Sequence, residues 1–381
     1  MALEAKWRDL EPRANPSLFQ SWTWTGCLAR ERFSSPVLVE ACQDGRTVAL
    51  ALFNRRGRTL HLGASGDPAL DSIYIEYNGV MTESGREAEL TVACLLAARR
   101  APGLRGILKR HLILRGIDTC TAACAAEAGD IWYDRSLISP FVALTDKEPD
   151  FLNRRSANTR QQLRRSDRHY AAIGGIMTER AETLSQAYEY LDELRMLHQR
   201  SWTARGEPGA FSNPFFGRFH HALIACGLPR GEIDLLRVVA GPRLIGVLYN
   251  FRYRERVLAY QSGFDYSGAG RHGKPGLTCH HQAVQCAMAL GPPGMIFWRE
   301  TIATSGASRI RPRGCIGSRL DPAIRPVLLR AAYAVSLRRG RRSRTHRASA
   351  FRRDRGKRAD AQRSDAAKSI NLKLLMDHKL C

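Results

Sequence analysis

The amino-acid sequence predicts an α+β protein built from two successive units, each with a few helices around a mostly antiparallel sheet. Short apolar runs bounded by turn residues, as in strands, alternate with segments of helical periodicity. This pattern ends near Asp150 and starts again at Phe151. With 381 residues, of which 44% are hydrophobic, the chain is long enough to form two hydrophobic cores.

The first unit is predicted to begin with a helix and to continue with hairpin strands. Asp44-Gly45 and Arg56-Gly57 are turn dipeptides between apolar runs, so they indicate tight connections between strands. In chain order, the expected elements are a helix at Pro16–Leu28, strands at Val37–Ala41, Thr47–Asn54, Arg58–Leu62 and Ile73–Tyr77, a helix at Arg86–Arg100, a strand at Gly106–Leu114 and a helix of small residues after it.

The second unit is predicted to alternate long helices with strands and to contain a clear β-hairpin. Arg254-Glu255-Arg256 joins the two apolar runs of that hairpin. In chain order, the expected elements are a basic helix at Asn153–Tyr170, a strand at Ala172–Arg180, helices at Leu184–Arg205 and Phe215–Cys226, strands at Ile233–Ala240, Leu244–Tyr253 and Val257–Phe264, and a helix at Leu277–Leu290.

The formal charge of +23 is concentrated in the C-terminal part of the chain. Residues 291–381 contain 22 Lys and Arg against 6 Asp and Glu, whereas residues 1–290 contain 37 against 30. The basic character therefore belongs to the tail, and nucleic acid is not an expected partner of the folded body.

A glycine-rich segment follows the last predicted strand and precedes a helix. First-turn amides have no partner inside a helix, and the positive end of its dipole attracts anions. Glycines allow close approach of the backbone, and basic side chains add charge. The spacing is neither that of a P-loop nor that of a dinucleotide fingerprint, and a charged surface turn is the simpler interpretation of the segment alone. As a phosphate site it would use Gly270, Arg271, Gly273, Lys274, Gly276 and Leu277.

A set of short motifs runs through both predicted units. They are Phe19–Trp24, Gly66–Gly79, Asn158–Arg168, His198–Trp202, Gly209–Phe211, Phe219-His220, Tyr260–Asp265 and Lys274–Leu277. In this order and spacing they resemble the CelD/BcsL-type bacterial acetyltransferases of the GNAT superfamily, over most of residues 10–290.

The resemblance implies tandem GNAT-like (acyl-CoA N-acyltransferase) domains, with acetyl-CoA or another acyl-CoA as donor and a small-molecule or saccharide acceptor. It also implies that the strand Leu258–Gly263 is splayed, with amides facing the thioester carbonyl. The family name links such proteins to cellulose or exopolysaccharide biosynthesis. The expected domains are an N-terminal GNAT-like domain at 1–150, a GNAT acetyltransferase domain at 151–300 and an aberrant or disordered basic tail at 301–381.

Four residues are catalytic candidates. Asp265 directly follows the strand and can orient an acceptor amine or accept its proton, with a turn or cap aspartate as an equal alternative. His198 shares a helix face with Trp202 and has an ordinary pKa of about 6.5, which suits proton transfer, although a histidine satisfied by the core is the commoner case. Gln261 and Ser262 can bond a substrate or simply face solvent. Acyl transfer is expected by direct attack, because no activated nucleophile is visible.

Five residues within the motifs are expected to bind the acceptor. They are Arg160, Arg164, Trp202, Phe211 and Tyr260. The arginines belong to a stripe, Arg160, Arg164 and Arg168, at spacing i, i+4 and i+8, which also suits an RNA or another polyanion. A solvated helix face is the more usual explanation of such a stripe.

The resemblance fails after Gly291, where the family would continue with a strand of the type D-F-L-x-G and a Tyr-Lys pair. Codons that encode the segment from Gly294 onward, taken one base earlier, give Y-D-F-L-A-G-D-N-R-Y-K. The hypothesis is a single-base shift near Ala289–Gly294 that replaced the native C-terminus. On this hypothesis the present chain lacks part of its core and acceptor site and is expected to be unstable or inactive.

Several classes of protein are not indicated. No apolar run approaches the roughly 20 residues of a membrane helix, and the amphipathic Met1–Leu10 segment is unlike a signal peptide. The ten cysteines lack metal spacing, so free thiols, no metal and a cytoplasmic location are expected. The sequence does not specify an oligomeric state.

Two other functions remain open from the sequence. One is an aminoacyl-tRNA-dependent (Fem-like) transferase, which has a similar double-domain plan and would use the arginine stripe for RNA. The other is a basic nucleic-acid-binding protein that relies on residues 338–358, although charge runs without aromatic or base-reading elements are usually disordered.

Overall fold

A computed structural model describes residues 2–71, 73–100, 111–129, 141–143, 151–290, 294–296 and 370–376. The first part of the chain forms helices α1–α4 and strands β1–β5. In chain order these are α1 (Ala2–Leu10), α2 (Trp22–Arg32), β1 (Pro36–Gln43), β2 (Arg46–Arg56), β3 (Thr59–Leu62), β4 (Met81–Thr82), α3 (Glu87–Arg100), β5 (His111–Leu114) and α4 (Thr119–Ala128).

The remainder of the described chain forms four helices and seven strands. In chain order these are β6 (Phe141–Ala143), α5 (Ala157–Ala171), β7 (Ile176–Arg180), α6 (Leu184–Thr203), α7 (Pro214–Gly227), β8 (Ile233–Ala240), β9 (Arg243–Tyr253), β10 (Arg256–Phe264), α8 (Pro275–Ala289), β11 (Gly294–Ile296) and β12 (Asn371–Met376).

These strands form two six-stranded sheets. The first has the order β12-β1-β2-β3-β5, with β4 paired to β2, and the second has the order β6-β11-β10-β9-β8-β7. All pairs are antiparallel except β3 with β5 and β10 with β11. The predicted α+β class, with mostly antiparallel sheets flanked by helices, is confirmed.

Two strands cross between the predicted domains. β6 precedes residue 150 but pairs with β11 in the second sheet, and β12, from the basic tail, pairs with β1 in the first. The sheets therefore differ from the predicted boundaries at these two segments. Within residues 301–381 the structure describes only 370–376, which contain β12.

The two sheets share one hydrophobic core. The Trp24 ring, from α2 of the first unit, packs edge-on against Phe219 of α7 at 5.3 Å and against Phe251 of β9 at 5.9 Å between centroids. Trp22 and Trp24 are both buried there, as expected for aromatic residues by default. A second core lies between the first sheet and α3 and α4, and a third between the second sheet and α5 and α8.

The local sequence explains where most helices and strands begin and end, and why the strand predicted at Ile73–Tyr77 does not form. The expected helix at Pro16–Leu28 starts only at Trp22, because Ser21 caps it and the preceding residues form a 3₁₀ turn. The expected strand at Ile73–Tyr77 is irregular, since Tyr77 has a φ of 50° and the amide of Asn78 bonds to the carbonyl of Gly116 instead of a neighbouring strand. The first five residues of the strand predicted at Gly106–Leu114, residues 106–110, lie outside the described range.

Candidate active site

Strand β10 has a bulge and an incompletely paired edge. Its register against β9 shifts between Ala259 and Gln261, which makes Tyr260 the extra residue. On the opposite side β10 pairs with β11 only over Arg256–Leu258. Within the described part of the chain, no strand pairs with that side from Gln261 to Phe264. Backbone amides and carbonyls on this edge of β10, from Gln261 to Phe264, therefore have no strand partner among the described residues.

The loop after β10 leads to a helix N-terminus without a side-chain cap of its own. Helices α5, α6 and α7 begin with Ser156, Thr183 and Asn213, whose side chains accept first-turn amides, whereas α8 begins after Lys274, which supplies no such bond. The N-terminus of α8 is therefore open to another acceptor.

Two amides at this N-terminus are available to a ligand. The amides of Gly276 and Leu277 have no acceptor among the described residues, and Pro275 has no amide hydrogen. Arg271 and Lys274 beside them are exposed. Together with the helix dipole, these groups can hold a phosphate or diphosphate.

Two of the expected phosphate-loop residues have structural roles instead. The amide of Gly273 donates to the carbonyl of Ala269 at 2.8 Å. Gly270 has a φ of +57°, which lets the loop turn back toward α8. The geometry of the loop therefore depends on these two glycines.

Helix α5 closes one side of the loop, a contact that was not predicted from the sequence. The buried Ser166 hydroxyl accepts the amide of Lys274 at 2.9 Å and contacts the Thr278 hydroxyl at 2.8 Å. Thr278 also donates to Asp167 at 3.2 Å. Ser166 lies between Leu163 and Tyr170 on the buried face of α5, and a polar residue on an apolar face was the available signal.

Asp265 is held by two arginines that are distant in sequence. Its carboxylate accepts from Arg200 of α6 at 2.5 Å, from Arg243 of β9 at 2.9 Å and from the Ser267 hydroxyl at 2.6 Å. Although burial favours the neutral form, the bonds from Ser267 and Arg243 and the charge of Arg200 hold the pKa of Asp265 below its ordinary value. An ionised, fully bonded carboxylate is a poor proton acceptor, so the turn interpretation describes Asp265 better than the catalytic one.

We expect Asp265→Asn to remove part of the pH dependence of stability. Because the pKa of Asp265 is lower in the folded chain than the unfolded-state value of about 3.9, its ionised carboxylate stabilises the fold at pH values above about 3.9. This contribution is lost as the pH falls through the folded-state pKa. The variant should be less stable by about 1 kcal/mol at pH 7, and the difference should shrink below about pH 4. Urea unfolding from pH 7 to pH 3 measures this, with the exposed Glu207→Gln as control. A difference that stays constant with pH would contradict the assignment.

His198 links β10 to the loop before α7. The buried ring accepts the amide of Ala210 at Nε2, at 3.2 Å, so its Nδ1 hydrogen points to the carbonyl of Ser262, also at 3.2 Å. Burial lowers the pKa of His198, which keeps the ring neutral. Because both nitrogens are engaged, His198 positions β10 and is not available as a general base. The side chains of Gln261 and Ser262 are half-buried and have no hydrogen-bond partner among the described residues.

The expected acceptor residues do not lie on one surface. Tyr260 is buried in the shared core with its hydroxyl 3.3 Å from His220, and Phe211 is buried against Phe216 at 4.9 Å, so neither faces an acceptor. Trp202 is half-buried beneath the Arg205 guanidinium, 4.5 Å from the ring centroid. Separately, the arginine stripe lies on α5, where Arg160 is half-buried and Arg164 and Arg168 are exposed.

Residues 157–301 match the family model of the acetyltransferase (GNAT) domain. The GNAT match contains the bulge of β10, the glycine-rich loop and α8. It begins at the start of α5 and therefore leaves the first unit outside. Among the described residues of the GNAT domain and of the first unit, no cluster of three His, Cys, Asp or Glu side chains is placed to hold a metal ion. No described helix combines the length and apolar character needed to cross a membrane.

Three solved structures are similar to this chain over most of its length. FemX has a TM-score of 0.50 at 10% identity and covers 78% of this chain and 87% of its own. L-PGS from Bacillus licheniformis has a TM-score of 0.48 at 12% identity, with 77% and 74% covered. A tandem GNAT protein from the clavulanic acid biosynthesis pathway has a TM-score of 0.39 at 12% identity, with 80% and 89% covered. No curated protein matches the chain significantly.

Proposed function

We propose that the chain is an acyltransferase that takes its acyl group from an acyl-CoA, such as acetyl-CoA, and passes it to an amine or hydroxyl. The observation that carries the proposal is the N-terminus of α8 with two unpaired amides, which follows in the chain the β10 edge that no described strand pairs from Gln261 to Phe264. A diphosphate at the amides of Gly276 and Leu277, near Arg271 and Lys274, would place the rest of the donor along that edge. The GNAT match over the same residues supports this assignment.

The proposed chemistry is a direct transfer. The acceptor atom attacks the thioester carbonyl carbon, the carbon–sulfur bond breaks, and the thiolate of CoA leaves. Amides on the unpaired edge of β10 stabilise the negative charge on the carbonyl oxygen. Since Asp265 and His198 are fully bonded, the acceptor proton passes to the departing thiolate or to solvent.

The second candidate is transfer from an aminoacyl-tRNA. The observation that favours it is the row of exposed arginines Arg164, Arg165 and Arg168 on α5, next to the loop that α5 closes. An RNA backbone would bind such a row mainly through its phosphates, and that binding would weaken steeply with salt.

Ligand binding separates the two donors. At 100 times its dissociation constant, CoA should raise the melting temperature of the full chain by about 3–4 °C, whereas total tRNA should not. Isothermal titration with CoA provides the affinity. Stabilisation by tRNA alone would support the aminoacyl donor, and stabilisation by neither would overturn the proposed function.

Two further parts of the proposal concern the acceptor and the C-terminal part of the chain. The resemblance in sequence supports a saccharide acceptor in cellulose or exopolysaccharide production, and the cysteines without metal spacing support a cytoplasmic location.

We also propose the reading-frame shift near Ala289–Gly294, which the break in the resemblance after Gly291 and the basic tail support. Sequencing the gene across these codons tests the shift. If the shift is real, the frame-repaired chain should bind CoA more tightly than the present one.

A further inference from the structure

Two cysteines from different units meet beneath an arginine. Cys27, on α2, is fully buried in the shared core, and Cys226, on α7, is half-buried at its border. The Nη2 atom of Arg30 lies 3.6 Å from Cys27 Sγ and 3.3 Å from Cys226 Sγ. The two sulfur atoms thus contact the same guanidinium nitrogen. One thiol can therefore hold the proton while the other, nearer the cation, carries the negative charge.

The charges around the pair favour a thiolate on Cys226. The neighbouring Cys27 thiol and the Arg30 guanidinium lower the pKa of Cys226, although burial and the carboxylate of Glu4 oppose this. The neighbouring Cys226 and burial raise the pKa of Cys27. The pair thus combines a thiol whose thiolate form is favoured with a buried thiol that can resolve its oxidised form.

The other described cysteines lack this combination. Burial raises the pKa of Cys94 to about 12. Cys120 and Cys124 form a second pair on α4, but burial and the carboxylate of Asp118 raise the pKa of both. The second pair thus provides an internal comparison without a cation.

We propose that Cys226 is a peroxide-reactive modification site and that its oxidation ends in a disulfide with Cys27 that joins the two units. The oxidant is a hydroperoxide such as hydrogen peroxide. The Cys226 thiolate attacks one peroxide oxygen, the oxygen–oxygen bond breaks, and hydroxide leaves as water after taking a proton. The resulting sulfenic acid is attacked by Cys27, the sulfur–sulfur bond forms, and a second water leaves. Two thiols lose two electrons, and one peroxide becomes two waters.

Peptide mapping of the full reduced chain tests the site. After one equivalent of hydrogen peroxide at pH 7, the main product should be a Cys27–Cys226 disulfide that dithiothreitol reverses. In Cys27→Ser, dimedone should label Cys226 as the trapped sulfenic acid. If Cys120 and Cys124 oxidise first, or if no Cys27–Cys226 disulfide forms in the folded chain, the proposal is overturned.

Arg30→Gln provides a test that leaves both thiols in place. It should slow the alkylation of Cys226 by iodoacetamide at pH 7 roughly tenfold, because the cation favours the thiolate. Arg218→Gln, on α7 with Cys226 and also exposed to solvent, is the matched control and should leave the rate unchanged. Circular dichroism confirms that each variant is folded. Equal rates in both variants would show that the arginine does not activate the thiol.

Discussion

Arg32→Met is expected to destabilise the chain by about 3–5 kcal/mol, because it breaks a buried ionic cluster at the border of the two units. The Arg32 side chain is 1% exposed and lies against Asp71, which is 6% exposed, at 3.4 Å. It also donates to the carbonyl of Leu70 at 2.8 Å and to that of Gly63 at 3.0 Å. Burial lowers its pKa to about 10, so the guanidinium is still charged at neutral pH. Methionine would fill the space but leave a carboxylate and two carbonyls without this donor.

A matched comparison is Arg8→Met, which removes an exposed ion pair with Glu4 four residues earlier on α1. This change should cost less than about 1 kcal/mol. Urea unfolding at pH 7 measures both free energies of unfolding. If Arg32→Met costs no more than Arg8→Met, the cluster does not hold the loop against α2 as described.

The first unit also packs against the bulge of β10. Asp71 accepts the amides of Ser65 and Gly66, which holds these loop residues next to Arg32. The ring of Tyr260, the extra residue of the bulge, packs edge-on against Trp24 of α2 at 6.2 Å between centroids. The first unit thus supports the bulge from behind, which explains why a residue expected to bind an acceptor belongs to the core.

The fold was predictable where local signals decide it. The hairpin of β9 and β10 follows from two apolar runs and a polar turn, and the helices α5 to α7 from capping residues and apolar periodicity. The crossing strands β6 and β12 were not predictable in this way. Strands of three and six residues carry little periodicity, and their partners β11 and β1 are far away in sequence.

The backbone elements of the candidate site could be predicted from the sequence, but the contacts of its side chains could not. A glycine-rich loop before a helix is a local pattern, and the structure leaves two amides of that helix open. The state of Asp265, by contrast, depends on Arg200 and Arg243, which lie 65 and 22 residues away. The same holds for His198, whose ring bonds to β10, 64 residues further along. Such long-range pairing decides whether a polar residue is structural or catalytic, and the spacing of residues does not show it.

The double variant Arg271→Ala with Lys274→Ala is expected to weaken CoA binding by at least about 100-fold, since each charge-assisted bond to a phosphate contributes about 1.5 kcal/mol or more. Both side chains are exposed beside the open amides of α8, and their loss leaves Gly270, Gly273 and the loop geometry unchanged. Isothermal titration measures the dissociation constant. The control is Arg46→Ala with Arg58→Ala, which removes the same charge from exposed positions in the first unit.

Salt concentration separates direct contact from general attraction. If the cations only draw an anion toward a basic protein, the control should weaken CoA binding as much as the double variant, and both effects should vanish at high salt. If they contact the diphosphate beside the helix N-terminus, the control should bind normally, and part of the loss should persist at 0.5 M salt. If both double variants lose the same CoA affinity, Arg271 and Lys274 do not contact CoA at the proposed donor site. Unchanged CoA binding in both would place the diphosphate elsewhere on the chain.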